Sequence, residues 1–375
     1  MNRRPFIKKL FQTTGGIYLA SQSSLLFGNN SNHNDEKLGI ALVGLGSYSK
    51  GQLAPALLET QYCYLAGIVT GTKEKESIWA EKYNIKKENI YNYDNYDDII
   101  HNDDIDIIYV VLPNSMHAEF TIRAANAGKH VICEKPMATS VEDCKKMIAA
   151  CKKANKMLSI GYRLHFDPYH DKIMRIGQNK IYGPMNVESE FSFMLKDQNS
   201  WRTKKSLAGG GPLMDLGIYA LQASIYSFGE LPTSVSATNT TKDTEFFKHI
   251  EGSLDWELTF PSGKANCTTS YEKSITAKLT HNLDNEGQVK LQNAFYYNGI
   301  KCTTPDGDIS FKPVNQQALQ MDAFALNILK NTPTLVPGEM GLRDNYLIEK
   351  IYESAENNGK VIELNDVPNI LDIRK

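Results

Sequence analysis

Leu38-Gly39-Ile40-Ala41-Leu42-Val43-Gly44-Leu45-Gly46 is the stretch on which the fold turns. A short apolar run bounded by glycine reads as a buried strand. The Gly44-Leu45-Gly46 that follows opens the first helix. At that place the first glycine allows a tight turn and the second lets a pyrophosphate approach the backbone. The helix N-terminus then favours the phosphate charge. The third position of a G-x-G-x-x-G pattern is Ser49, small enough for close packing of helix on strand. A lone G-x-G also occurs in glycine turns of other α/β proteins. Its position after the first strand of a repeated array is what points to a dinucleotide.

The array continues downstream. Residues 64–69, 106–112, 130–133 and 157–160 are further apolar strands, and Pro113 ends the second of these. Helical spacing fills 54–58, 74–83, 116–127 and 141–155. All-apolar strands alternating with helices predict a parallel sheet covered on both faces. After residue 160 the pattern changes. Residues 167–176 and 214–228 read as helices. From 231 to 311 the chain is rich in Thr, Tyr and Ser, with turns at Gly252, Pro261-Ser262-Gly263, Asn285-Glu286-Gly287 and Pro305-Asp306-Gly307. Several antiparallel strands in one sheet fit this text. Helices over 316–330 and 341–357 close the chain. The expectation is an α/β protein with a leader and linker over 1–35, a Rossmann domain over 36–160 and a second domain over 161–375.

Composition bounds the function. The 375 residues carry 41 Lys plus Arg against 43 Asp plus Glu. This balance lacks the basic excess that neutralising nucleic-acid phosphates needs. No run of about 18 apolar residues is present, so no membrane insertion is expected. The six cysteines, Cys63, Cys133, Cys144, Cys151, Cys267 and Cys302, form no C-x-x-C and no zinc spacing. His165, Asp167, His170 and Asp171 match no usual metal motif either, and no metal is expected. Arg3-Arg4-Pro5-Phe6-Ile7-Lys8 precedes a weakly apolar stretch and then a polar linker at 29–35. That order resembles a twin-arginine export signal, although no clean Ala-x-Ala cleavage site appears. A disordered tail in a cytoplasmic protein is the alternative. Export of a folded protein to the periplasm is the expectation.

The end of the second strand distinguishes the two nicotinamide dinucleotides. An acid there would accept from the 2′-hydroxyl of NAD. Here Val69-Thr70-Gly71-Thr72-Lys73-Glu74-Lys75 offers a hydroxyl, a glycine amide and lysines instead. These suit the 2′-phosphate of NADP; the alternative is a solvated helix start. Two further motifs carry chemistry. Glu134-Lys135-Pro136 closes a strand at the carboxyl edge of the sheet, where ligands bind. Asp215 and Tyr219 in Gly209-Gly210-Gly211-Pro212-Leu213-Met214-Asp215-Leu216-Gly217-Ile218-Tyr219 are spaced i, i+4 and share a helical face. An acid and a phenol opposite a lysine make a proton-transfer set for an alcohol, because a nearby ammonium favours the phenolate. The alternative is a capped helix with its tyrosine in the core.

These motifs, with Leu112-Pro113-Asn114-Ser115-Met116-His117 and Gly161-Tyr162-Arg163, resemble the glucose–fructose oxidoreductase, inositol dehydrogenase and rhizopine-catabolism (Gfo/Idh/MocA) family. The resemblance runs from about Leu38 to about Ile362. It implies a C-terminal α/β domain with a large open, mainly antiparallel sheet and a homo-oligomer. It implies NADP held by Gly44, Leu45, Gly46, Ser47, Tyr48, Thr70, Gly71, Lys75, Leu112, Pro113, Asn114, His117, Glu134, Lys135, Tyr162, Arg163, Trp201 and Arg202. It further implies Lys135, Asp215 and Tyr219 as catalytic residues, with Tyr219 where inositol dehydrogenases carry His. Tyr162 and Tyr297 join these three at the sugar. The implied reaction is hydride exchange between an aldose and a ketose on a tightly held cofactor. A dissociating dehydrogenase and a non-catalytic ligand sensor are the other readings.

Overall fold

The computed structural model describes residues 37–284 and 287–374. The twin-arginine stretch, the linker at 29–35 and the turn residues Asn285 and Glu286 lie outside the described residues. Residues 37 onward pack as one unit built on two sheets.

The first sheet comprises β1 (Leu38–Val43), β2 (Cys63–Val69), β3 (Ile90–Tyr91), β4 (Ile107–Val110), β5 (His130–Cys133) and β6 (Leu158–Ile160). Their order is β3-β2-β1-β4-β5-β6, all parallel. This is the doubly wound dinucleotide-binding order, which places ligands outside the carboxyl ends of the strands. Every residue of β1 and β4 is buried, as the unbroken apolar runs require. The two-residue β3 is too short to leave a periodic signal in the sequence.

The second sheet has nine strands, in the order β14-β13-β12-β11-β7-β10-β9-β8-β15. They are β7 (Met185–Ser192), β8 (Ser234–Asn239), β9 (Ser253–Phe260), β10 (Gly263–Ser270), β11 (Thr276–Leu283), β12 (Gln288–Gln292), β13 (Lys301–Thr304), β14 (Gly307–Ile309) and β15 (Ile362–Glu363). Only β7 and β10 pair in parallel. Strict alternation sets one face in the core: Leu254, Trp256, Leu258 and Phe260 of β9 are buried. Asp255 and Glu257 point to the other face, beside Glu188 and Glu190 of β7. The sequence reading starts its strand region at 231 and so misses β7, which sits at the centre of the sheet. Half of β7 faces the polar side, so its mean hydropathy resembles a loop.

The chain does not part cleanly at residue 160. Helix Gln316–Lys330 returns to the first sheet. Its Ala318, Met321, Phe324 and Ala325 pack with Ile40, Leu42 and Ile68. Its Asp322 carboxylate accepts from the backbone N–H groups of Gln61 and Tyr62. Helix Gly338–Glu356 serves both sheets. Its Asn345 donates to the Ala138 carbonyl at 2.7 Å, and its Ser354 hydroxyl accepts from the Ala237 N–H on β8 at 2.8 Å. Among the described residues no helix is long and apolar enough to cross a membrane. All six cysteines are buried free thiols.

Phe324 is 1% exposed and meets the His130 ring edge-on. Phe324→Ala should lower stability by about 3–5 kcal/mol through lost burial and the cavity left behind. Urea unfolding measures this; a loss under about 1 kcal/mol would show that the helix does not anchor the first sheet.

Candidate active site

The glycine loop comes first because it fixes where a ligand can approach. Gly44 has φ +95°, and a Cβ there would lie 2.6 Å from the Val111 carbonyl oxygen. Gly46 has open space where a side chain would be. A helix runs from Ser47 to Leu57, with a π turn over Ser49–Leu53. Ser49, the departure from the glycine pattern, is buried and donates its hydroxyl to the Gly44 carbonyl at 2.5 Å. The hydroxyl therefore ties the loop closed. Tyr48 reaches from this helix to stack on Tyr297, with ring centroids 6.3 Å apart.

At the end of β2, Thr70 is buried and its hydroxyl accepts from the Thr72 N–H. A Cβ on Gly71 would press against the Tyr93 ring at 2.7 Å. Lys75 spans back to the glycine loop and donates to the Leu45 carbonyl at 3.0 Å. The residues fit a dinucleotide. They give an open approach at Gly46, a helix N-terminus, and an ammonium beside the loop at a turn without an acid.

Several predicted cofactor residues are used by the protein itself. His117 is buried, with one ring nitrogen 2.8 Å from the Leu112 carbonyl and the other 2.8 Å from the Pro136 carbonyl. It pins the turn at Pro113 against the Lys135-Pro136 segment. Asn114 is buried and donates to the Ala208 carbonyl at 2.8 Å. Glu134 is buried and accepts from the Tyr109 hydroxyl at 2.7 Å, which in turn accepts from Gln320 at 2.9 Å. Burial pushes the Glu134 carboxyl up, against the pull of Tyr109 and Lys135. Gly161 is required beside it, since a Cβ there would lie 2.5 Å from a Glu134 oxygen.

The catalytic candidates do meet. Lys135 Nζ lies 2.6 Å from the Asp215 carbonyl and 3.2 Å from Asp215 Oδ1. It also sits 5.0 Å from the centre of the Tyr219 ring. Asp215 Oδ2 accepts from Arg202 Nε at 2.8 Å and from the Tyr271 hydroxyl at 2.9 Å. Burial alone would raise the Asp215 carboxyl, but Arg202 and then Lys135 outweigh it and hold it well below the usual carboxylate range. Arg202 lies over the Trp201 ring at 4.8 Å. Asp215 stands in a π turn, Leu213–Gly217, and Tyr219 in the α-helix Ile218–Phe228 that continues it. The lysine touches both across that junction.

Arg163 reaches the same place from the turn after β6. Its guanidinium carbon is 5.2 Å from the Tyr219 ring centre and 4.3 Å from that of Tyr297. Tyr162 does not join them. It is buried in the core, 5.9 Å from the His165 ring, so the turn sends Arg163 toward the cluster and Tyr162 away from it. His165, Asp167, His170 and Asp171, whose spacing matches no metal motif, serve the fold. Asp167 caps helix Pro168–Gln178, His170 lies between Tyr226 and the Ala294 carbonyl, Asp171 pairs with Arg175, and His165 faces Asp372.

Tyr271, Gln316 and Glu251 were not legible in the sequence. The Glu251 carboxylate accepts from the N–H groups of Gly211 at 2.9 Å and Leu213 at 3.1 Å, and from the Tyr352 hydroxyl at 2.8 Å. It thereby fixes the start of the segment that carries Asp215 and Tyr219. A Cβ on Gly211 would lie 2.0 Å from the Glu251 carbonyl oxygen, which explains that glycine.

The profile described as "Oxidoreductase family, NAD-binding Rossmann fold" matches residues 38–162. The Gfo/Idh/MocA C-terminal domain profile matches residues 175–283. The chain belongs to the Gfo/Idh/MocA oxidoreductase family. It is 37% identical to a solved aldose-aldose oxidoreductase from Caulobacter crescentus, over 88% of this chain and 100% of that one, with a TM-score of 0.83. It is 27% identical to a D-xylose 1-dehydrogenase [NADP(+)] from Haloarcula marismortui, over 87% of this chain and 93% of the relative. It is 26% identical to a D-glucoside 3-dehydrogenase from Escherichia coli, over 86% and 97%.

A depressed carboxyl gives stability that is present above its unfolded value, near pH 3.9, and lost as pH falls toward the folded one. Asp215→Asn leaves Lys135 and Arg202 without a carboxylate and should destabilise the protein at neutral pH. The gap to the unaltered protein should narrow as pH falls below about 4. Urea midpoints across that range test this, and a gap that stays constant would refute it.

Proposed function

We propose that this protein is an NADP-dependent sugar oxidoreductase that moves hydride between an aldose and a second sugar on a retained cofactor. One observation carries the reading: the Lys135 ammonium is set against both Asp215 and Tyr219 at the carboxyl edge of a dinucleotide-binding sheet. The names of the aldose-aldose oxidoreductase and the NADP-dependent xylose dehydrogenase support a sugar substrate. Lys75 beside the glycine loop supports NADP over NAD.

Bound there, NADP supplies the nicotinamide that exchanges hydride with the sugar carbon. Tyr219 takes the proton of the hydroxyl at C1 as the carbonyl of a lactone forms. Lys135 orients that hydroxyl and favours the phenolate. Asp215 holds the sugar. An ionised carboxylate has about four lone-pair sites, and Lys135, Arg202 and Tyr271 take three of them, which leaves room for one sugar hydroxyl. In the return half-reaction Tyr219 gives its proton to the carbonyl oxygen of the acceptor, a fructose-like ketose leaving as its alditol. The 37% identical neighbour favours a second aldose as an alternative acceptor. A dehydrogenase that releases its cofactor each cycle is the second reading, favoured by the name of the xylose dehydrogenase.

Two further parts of the proposal rest on the sequence. The Arg3-Arg4 leader supports export to the periplasm in the folded state. The polar outer face of the second sheet, with Glu190, Asp255 and Thr268, supports contact between copies of the chain.

The test is the absorbance of the purified, desalted protein as glucose and then fructose or xylose is added, with no cofactor supplied. A reduced-nicotinamide band should rise with the first sugar and fall with the second. A band that appears only after NADP is added selects the dissociating dehydrogenase. Tyr219→Phe should lose at least ~100-fold in turnover while the cofactor stays bound. Undiminished turnover in that variant sinks the assignment of the base.

A further inference from the structure

Arg163 is 2% exposed, and among the described residues no carboxylate pairs with it within ion-pair distance; the buried Glu134 carboxylate feels its charge from farther off. It donates to neutral oxygens, Phe295 O at 2.5 Å, Tyr296 O at 3.3 Å and Gln316 Oε1, and its side chain also hydrogen-bonds Tyr219. Its Nε has no hydrogen-bond partner among the described residues. Two acids of this region hold other hydrogen-bond partners. Asp167 caps a helix and accepts from Gln316 Nε2 at 2.8 Å, so a neutral amide stands between it and the guanidinium. Glu134 takes the Tyr109 hydroxyl. A buried charge left without an opposite charge is costly, and a fold that keeps one holds it for a partner.

Both neighbouring rings are phenols. Arg163 lies against Tyr219 at 5.2 Å and against Tyr297 at 4.3 Å. The other cation at Tyr219 is Lys135, and its charge already faces the Asp215 carboxylate at 3.2 Å. Arg202 shares that same carboxylate. Of the two cations flanking the Tyr219 ring, Arg163 is the one with no carboxylate in direct ion-pair contact among the described residues. Burial opposes its charge, yet Tyr219 first, then Tyr297 and Tyr48, hold the guanidinium above its ordinary range. The groups facing Tyr219 are Lys135 from the end of β5, Arg163 from the turn after β6, Tyr297 from the segment after β12, Tyr48 from the glycine-loop helix and Asp215 one turn back, and the buried Glu134 carboxylate acts on the first four of these. Phe191 and Phe295 complete the wall.

We propose that Arg163 is the charge partner of Tyr219, offsetting the phenolate that takes the sugar's proton, and that Gln316 positions it there. This rests on reading Tyr219 as the proton acceptor. The balance is simple. The sugar O–H bond breaks, its proton forms the phenol O–H, and Arg163 stays protonated throughout. Arg163 and Gln316 act through Tyr219 and are positioning residues.

The experiment uses the purified holoenzyme and reads two quantities. Cofactor content after desalting is independent of turnover. The rate of sugar oxidation is followed against pH. Arg163→Met should keep its cofactor and lose ~100-fold in kcat at neutral pH, with little change in KM. The pH at which oxidation reaches half its plateau should move up by about one unit or more. Arg163→Lys, which keeps the charge, should recover most of that shift. In a Tyr219→Phe background Arg163→Met should cost nothing further. If Arg163→Met does not fold, Arg163→Gln, which can still donate to the same carbonyls, takes its place.

Loss of cofactor on desalting, with the full rate restored by saturating NADP, overturns the proposal and assigns the charge to the dinucleotide. A raised KM with an unmoved pH profile overturns it and assigns Arg163 to the sugar. If Tyr219→Phe is inactive while the pH profile ignores Arg163, this proposal fails alone. If Tyr219→Phe keeps full turnover, the reading of the base fails with it.

Discussion

The contact between Lys135 and Asp215 is the joint of this molecule. The ammonium stands at the end of the fifth parallel strand, and the carboxylate on a π turn in the helical segment that packs on the second sheet. Two elements from different sheets are therefore held at hydrogen-bond distance. An ion pair this well buried is costly to desolvate, and further hydrogen bonds offset that cost. Arg202 and Tyr271 take two more sites on the carboxylate, and the Asp215 carbonyl takes a further ammonium proton. The geometry of this cluster is thus fixed by the fold itself.

Holding that joint takes support from farther out. Glu251 clamps the first N–H groups of the segment bearing Asp215 and Tyr219, and Tyr352 from the last helix secures Glu251. Glycine at 211 is what lets the backbone approach so closely. On the other side, Tyr109 and Gln320 hold Glu134, the neighbour of Lys135. Hydrogen bonds of such buried chains strengthen one another, although Gln320 Oε1 has no hydrogen-bond partner among the described residues. Lys135 and Arg202 share the Asp215 carboxylate, while Arg163 has no carboxylate within ion-pair distance among the described residues and feels Glu134 from farther off.

Helix Gln316–Lys330 ties the first sheet to the buried polar cluster. Phe324 and Met321 pack into the first sheet, while Gln316 meets Arg163 and Gln320 meets Tyr109. Its return from the far end of the chain explains why the two sheets form one unit rather than two separable halves.

The sequence alone determined what depends on neighbours along the chain. Unbroken apolar runs named most strands of the parallel sheet, since a strand buried on both faces needs no alternation. Gly44-Leu45-Gly46 named the dinucleotide loop, because a positive φ and a bare backbone are local demands. Lys135, Asp215 and Tyr219 stood out by motif, and the structure brings them together. Tertiary structure alone decided the rest. Strand β7 hid because half its side chains face the polar side of its sheet. Tyr271, Glu251 and Gln316 reach their partners across 56, 40 and 153 residues. No spacing rule spans such separations. Tyr162 and Arg163, adjacent in the motif, part at a single turn into the core and the site. Which of two adjacent side chains faces a ligand depends on what packs against each. That packing is contributed by the rest of the fold.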